Sequence, residues 1–154
     1  MNKNIASVFV LLMLVLGSVL LNSCEIDSSD NGSLDGFWHL ESIDTLATGG
    51  RSDYGKQRVF WGVQYKLVSV NNYEGGRFYF RFRQTSDSLI LSSPYRNNWH
   101  QDVENGGDIP LTEINDTLCQ CGINHLVESY YKEKMNGDKM ILRTKELRLS
   151  FKKF

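Results

Sequence analysis

The residues able to do chemistry are few and scattered. His39, His100 and His125 lie far apart, and no serine or acidic residue stands beside them at the spacing of a nucleophilic triad. Zinc takes three or four ligands at recognisable spacing, and these histidines do not show it. Asp102-Val103-Glu104-Asn105-Gly106-Gly107-Asp108 carries enough acid to attract calcium. It lacks the regular ligand spacing and the distal glutamate of the helix-loop-helix calcium site, and its plainer reading is an acidic loop. Cys119 and Cys121 flank Gln120. A bridge across one residue is strained and easily reduced, so this is either a redox pair or two unbridged thiols. With a net charge of −1, the chain has no basic footprint for nucleic acid. These patterns point away from an enzyme and from a bound cofactor or metal.

The third cysteine, Cys24, has a more specific setting. Lys3 precedes an almost unbroken apolar run from Ile5 to Leu21. That is the form of a secretory signal. A transmembrane anchor is the alternative, but the run is about 17 residues, the lower edge of a bilayer span, and no positive residues follow it. Leu21-Asn22-Ser23-Cys24 resembles the lipobox of bacterial lipoproteins, with Asn22 a less usual residue in its third-from-last place. The resemblance implies cleavage after Ser23 and acylation of Cys24. At about 0.8 kcal/mol per buried CH₂, the acyl chains make a lasting membrane anchor. Glu25 follows, not the aspartate linked to inner-membrane retention, which implies a cell-envelope location at the outer membrane. The chain is therefore expected to divide into a signal peptide over 1–23, a flexible acidic tether over 24–33 and a folded body over 34–154. The tether is rich in Ser, Asp, Asn and Gly and cannot bury a core of its own.

The body has a period of two. Phe37 to Ile43 reads as the first strand, with Trp38 and Leu40 on one face. Asp44 to Lys56 reads as a polar connection. Val59, Trp61, Val63, Tyr65 and Leu67 alternate with a mixed set, predicting one long half-buried strand over 59–68, bent at Gly62. Phe78, Phe80 and Phe82 face one way while Arg77, Tyr79, Arg81 and Arg83 face the other. A one-residue slip would bury the arginines, so this register is firmly set. The arginine row reads as a solvated face or as a surface for an anionic partner. Ser88 to Leu91 forms a further strand after the turn at Thr85-Ser86-Asp87. Residues 93–125 break the rhythm and receive no fold assignment beyond a short helix or irregular strand somewhere in 111–123; an excursion this long usually carries function or hides an element. Leu126 to Met135, Lys139 to Arg143 and Leu147 to Phe151 close the chain, with Asn136-Gly137 expected to make a type I′ turn. About eight strands joined mostly by short turns predict an all-β, antiparallel up-and-down meander closing into a small barrel.

Gly36-Phe37-Trp38, opening the first strand of such a meander, resembles the glycine-x-tryptophan signature of the lipocalins. Leu147-Arg148-Leu149-Ser150-Phe151 is similar to the closing strand of short bacterial lipocalin-like lipoproteins. The resemblance implies an eight-stranded lipocalin-like barrel in which Gly36 and Trp38 close one end and a basic residue of the last strand packs over the indole: Arg148, or else Lys152. It also implies a small apolar or amphipathic ligand, held in a cavity lined by Trp61, Tyr65, Phe78, Phe80 and Phe82. The competing expectation is a barrel filled by its own aromatics, serving as a structural or protein- or glycan-binding lipoprotein. Asp44-Thr45-Leu46, Asp87-Ser88-Leu89 and Asp116-Thr117-Leu118 resemble the acceptor of envelope O-glycosylation, and read equally as ordinary turn-to-strand transitions.

Overall fold

The computed structural model describes residues 29–98 and 107–154. Its strands are β1 (Gly36–Thr45), β2 (Gly50–Asp53), β3 (Val59–Gln64), β4 (Leu67–Asn72), β5 (Gly76–Gln84), β6 (Ser88–Arg96), β7 (Ile109–Pro110), β8 (Glu128–Met135), β9 (Lys139–Arg143) and β10 (Leu147–Lys153). A 3₁₀ turn covers Gly32–Leu34, and a short helix, α1, spans Asp116–Gln120. Eight of the strands pair antiparallel in the order β1, β3, β4, β5, β6, β8, β9, β10, and β10 returns to β1 to close the barrel. β2 forms a hairpin with the far half of β1, and β7 lies against the end of β6.

Alternation decides the interior. Trp38 and Leu40 of β1, Trp61 and Val63 of β3, Val68 and Val70 of β4, Phe78 and Phe80 of β5, Tyr130 of β8 and Phe151 of β10 are all buried. They belong to one continuous apolar cluster. Trp61 sits between Phe151 and Tyr130, with ring centroids 5.0 and 5.7 Å away. Register shifts occur between Leu40 and Ser42, between Tyr79 and Arg81, and between Lys132 and Lys134. Such bulges increase the local twist and bend a strand, which helps a sheet curve round on itself.

Several expectations need correction. Residues 59–68 are not one strand: Tyr65 and Lys66 form a tight turn between β3 and β4, and Tyr65 adopts φ +53°. Asp44 to Lys56 contains β2, and β6 continues past Leu91 to Arg96, through Ser93 at φ +51°. The Asn136 turn has no positive φ at Asn136 or Gly137; the Asn136 Oδ1 instead accepts from the backbone N–H of Asp138 and Lys139. Residues 29–33 are not free tether. The Asn31 side chain donates to the Tyr65 carbonyl at 2.8 Å, and the Tyr65 N–H donates to Ser29 Oγ at 2.7 Å.

Candidate functional site

The up-and-down order gives the barrel two ends, and each is stopped. At the end where β1 begins, Leu34 and Trp38 are buried, and the indole Nε1 donates to the Leu34 carbonyl at 2.8 Å. The Lys153 ammonium lies 4.8 Å from the Trp38 ring, and Lys153 is the register partner of Trp38. Gly36 makes room for it: at φ +127°, an added Cβ would fall 2.5 Å from Lys153 Cε. Glycine adopts that conformation without the penalty a side chain brings. The basic residue over the indole is thus Lys153, and not Arg148 or Lys152. Arg148 points to the outer wall of the barrel, where its Nε donates to Glu133 at 2.6 Å and a guanidinium nitrogen lies 3.5 Å from Asp44. Strand parity explains the difference. Leu147, Leu149 and Phe151 face inward, so Arg148 faces out, while the terminal Lys153 reaches across the barrel's end.

The opposite end is stopped by the segment 115–123, which sequence periodicity left unassigned. Asn115 caps α1, its Oδ1 accepting from the Leu118 N–H at 3.0 Å. Leu118, Cys121 and Ile123 are buried in the main cluster. Gly122, at φ +83°, lies against Leu149, where an added Cβ would meet Leu149 Cδ2 at 2.3 Å. The buried Glu128 carboxylate accepts from the N–H groups of Asn124 and His125, and the Tyr130 hydroxyl donates to the Gly122 carbonyl at 2.8 Å. Burial pushes the Cys121 thiol up to about 12 and the Tyr130 phenol well above its ordinary range. Cys121 is free and buried and Cys119 is free and exposed, so no bridge joins them. A thiol held protonated is a poor nucleophile.

Of the five residues expected to line a cavity, four are packed in or against the core. Trp61, Phe78 and Phe80 are fully buried against other side chains, Phe82 packs on the cluster's edge, and Tyr65 is at an exposed turn outside the barrel. Among the described residues, Trp61 Nε1 is one of four buried side-chain polar atoms with no hydrogen-bond partner, with Ser42 Oγ, Asp44 Oδ1 and Asn98 Nδ2. A groove of about 1280 Å³ lies on the outer wall. It crosses β1, β3, β4, β5 and β6, and the pairing places Phe37, Gly62, Ser69, Tyr79 and Tyr95 in one row. A second row, two residues along, holds Gln64, Leu67 and Arg81.

The remaining sequence candidates are dispersed. His39 bridges the Glu41 carboxylate and the Gln57 carbonyl, both at 2.7 Å, while His125 is exposed. Among the described residues no cluster of three or more His, Cys, Asp or Glu is arranged to hold a metal. Thr45 is exposed, whereas Ser88 and Thr117 are half-buried. Cys24, His100 and most of the 102–108 acidic loop lie outside the described residues.

A closed eight-stranded meander with an indole across one end defines the lipocalin-like class of barrel. The chain belongs to the lipocalin-like domain family, whose model matches residues 19–154. It is similar to a crystal structure of a lipocalin-like protein from Bacteroides uniformis (TM-score 0.56, 16% identity, covering 80% of this chain and 100% of that one). It is also similar to a crystal structure of an uncharacterized protein from Bacteroides eggerthii (TM-score 0.50, 16% identity, 78% of this chain and 98% of that one). At that identity the likeness is one of fold. No curated protein matches the chain.

Proposed function

We propose that this protein is a non-enzymatic binding lipoprotein of the cell envelope, held at the outer membrane through Cys24, which binds a small apolar or amphipathic molecule on its outer wall. One observation carries the choice of wall over interior. Both ends of the barrel are stopped by buried side chains and the interior is packed with aromatics, while an open groove of ligand size crosses the outer face. A lipocalin-like barrel supports small-ligand binding in general. Here the barrel supplies the rigid frame and the strand register supplies the surface.

Two experiments test this reading. Cys24→Ala protein is expected in the soluble fraction of its own host; continued membrane association would refute the anchor. Native mass spectrometry of the protein purified from its host is expected to show a bound small molecule, which Ser69→Arg should displace by filling the groove. A ligand retained unchanged in Ser69→Arg would place it inside the barrel. The second reading, a lipoprotein that binds a protein or glycan partner, draws on an exposed aromatic strip beside the groove. Phe154 and Tyr73 are 86% and 55% exposed and both pack edge-on against Phe60, which stacks on Phe37 at 4.8 Å. A partner protein captured with the native lipoprotein and lost on Phe154→Ser would favour it.

A further inference from the structure

We infer that the outer-wall groove recognises an amphipathic anion: an apolar body laid along the Phe37–Tyr79–Tyr95 row, with a carboxylate or phosphate head at Arg81 and Lys66. This deepens the outer-wall reading and rests on it.

The apolar part follows from register. Phe37, Gly62, Ser69, Tyr79 and Tyr95 are successive cross-strand partners on five neighbouring strands. Bulk is unevenly distributed along that row. Phe37 stands at one side and the two tyrosines at the other, while Gly62 and Ser69 between them are small. An added Cβ at Gly62 would approach the Phe37 ring at 3.2 Å and Ser69 Oγ at 2.6 Å, so the Phe37 ring lies close over the Gly62 backbone. The result is a trough with aromatic flanks. Tyr79 and Tyr95 are both half-buried, and neither hydroxyl makes a hydrogen bond among the described residues. An aromatic surface of this kind accepts a hydrocarbon chain or flat ring through dispersion and area burial, with its hydroxyls left to bind polar groups.

The charge preference follows from which groups are already engaged. Two carboxylates line the groove, Asp35 and Asp108. Asp35 accepts from Ser29 Oγ, the Asn31 side chain and the Asn31 N–H, and Asp108 accepts from the Asn98 N–H. Arg81 and Lys66 also line it. Both are exposed, and neither side chain makes a hydrogen bond or ion pair among the described residues. Arg81 is the direct register partner of Leu67, which follows Lys66. Arg81 and Lys66 are thus the charged side chains of the groove left without a partner, and they lie beside the aromatic row, toward the turn between β3 and β4. A guanidinium with all its donors free suits a carboxylate or phosphate.

Position argues for the source. Ser29 lines the groove and lies only five positions after Cys24. Fully extended, that stretch spans at most about 17 Å. An acylated Cys24 would hold the groove close to the membrane surface, where single-chain fatty acids and anionic phospholipids are concentrated. Both present the same chemistry, an acyl chain with an anionic head.

The test uses purified Cys24→Ala protein, so that the anchor makes no contribution. Calorimetric titration with laurate below its critical micelle concentration reads the free fatty acid. Cosedimentation with phosphatidylglycerol vesicles, with phosphatidylcholine vesicles as the neutral control, reads the membrane lipid. Binding in at least one anionic arm, weakened tenfold or more in Arg81→Gln/Lys66→Gln and in Tyr95→Ala, is the expected result; the arm that responds names the source. Equal binding of laurate and uncharged dodecyl maltoside, unaffected by the charge substitutions, would overturn the anion assignment. So would binding of neutral maltohexaose with none in either anionic arm. Ligand loss from host-purified Ser69→Arg protein would in both cases leave the outer-wall reading standing. Laurate binding that ignores the groove substitutions but tightens in Leu118→Ala would instead place the ligand inside the barrel and remove both.

Discussion

The two ends of the barrel are stopped by different means. At one end the stopper is local: Leu34, Gly36 and Trp38 lie within five consecutive positions, joined by a 2.8 Å hydrogen bond and crossed by Lys153 from the last strand. At the other end it is an excursion. The chain leaves β7 at Pro110, forms the single-turn α1, and inserts Leu118, Cys121 and Ile123 before rejoining the barrel at Glu128. The first stopper is built into the strands it closes. The second is laid over them, and is held by Asn115, Gly122, Glu128 and Tyr130 rather than by ladder hydrogen bonds. Local stability tends to be lowest in segments held by few ladder hydrogen bonds, so the α1 end is expected to open more readily than the Trp38 end.

The strongest attack on that contrast is Trp38→Ala, expected to cost about 3–5 kcal/mol. Chemical denaturation should show it as a lower midpoint with unchanged cooperativity. Leu118→Ala should cost about 2–5 kcal/mol, but with a different distribution. Hydrogen exchange should rise in 115–128 and little at the start of β1; a uniform rise would erase the distinction between the ends. Gly122→Ala is expected to cost about 1–3 kcal/mol, because the position has φ +83° and its Cβ would collide with Leu149. Thermal melts of Gly122→Ala alone and with Leu149→Ala should reveal partial relief in the pair. At the Trp38 end a pH effect is expected. Burial opposes the charge on Asp35, but hydrogen bonds from Ser29 and Asn31 and the nearby Lys153 outweigh it and hold its carboxyl below the ordinary range. Its stabilisation is therefore present above the unfolded value of about 3.9 and lost as pH falls through the lower folded value. Asp35→Asn should flatten the acid limb of a stability profile. The smallest change should come from Arg148→Ala, which removes a partly exposed outer ion pair and is expected to cost under about 1 kcal/mol. A larger loss would mean that the Glu133–Arg148–Asp44 network helps to close the barrel.

The same contrast marks what could be read in advance. Strands with clean alternation, such as Phe78 to Phe82 and Leu147 to Phe151, were legible because the period of two is a local property. The Trp38 end was legible through its short signature, although the cation over the indole is Lys153, the last residue of β10. The turn at Tyr65-Lys66 was hidden because it contains no Gly, Pro, Asn or Asp and the apolar alternation of the sequence runs straight through it. The α1 stopper was hidden for another reason: Leu118, Cys121 and Ile123 follow neither a strand period nor a helical one. The outer groove was half-visible. The outward facing of Tyr79 and Arg81 follows from parity, but bringing Phe37, Ser69 and Tyr95 into line with them depends on register between strands, which no single segment encodes.

The pairing of β1 with β10 also governs how the molecule comes to exist. Trp38 faces Lys153, and the N–H of Phe154 donates to the carbonyl of Phe37 at 2.8 Å. The first strand to leave the ribosome must wait for the last. Until then β1 has an unpaired edge, and its closing contact spans nearly the whole folded chain. Contacts so distant in sequence slow folding. The nascent chain should therefore remain open, and the barrel should close only once β10 is free to pair with β1.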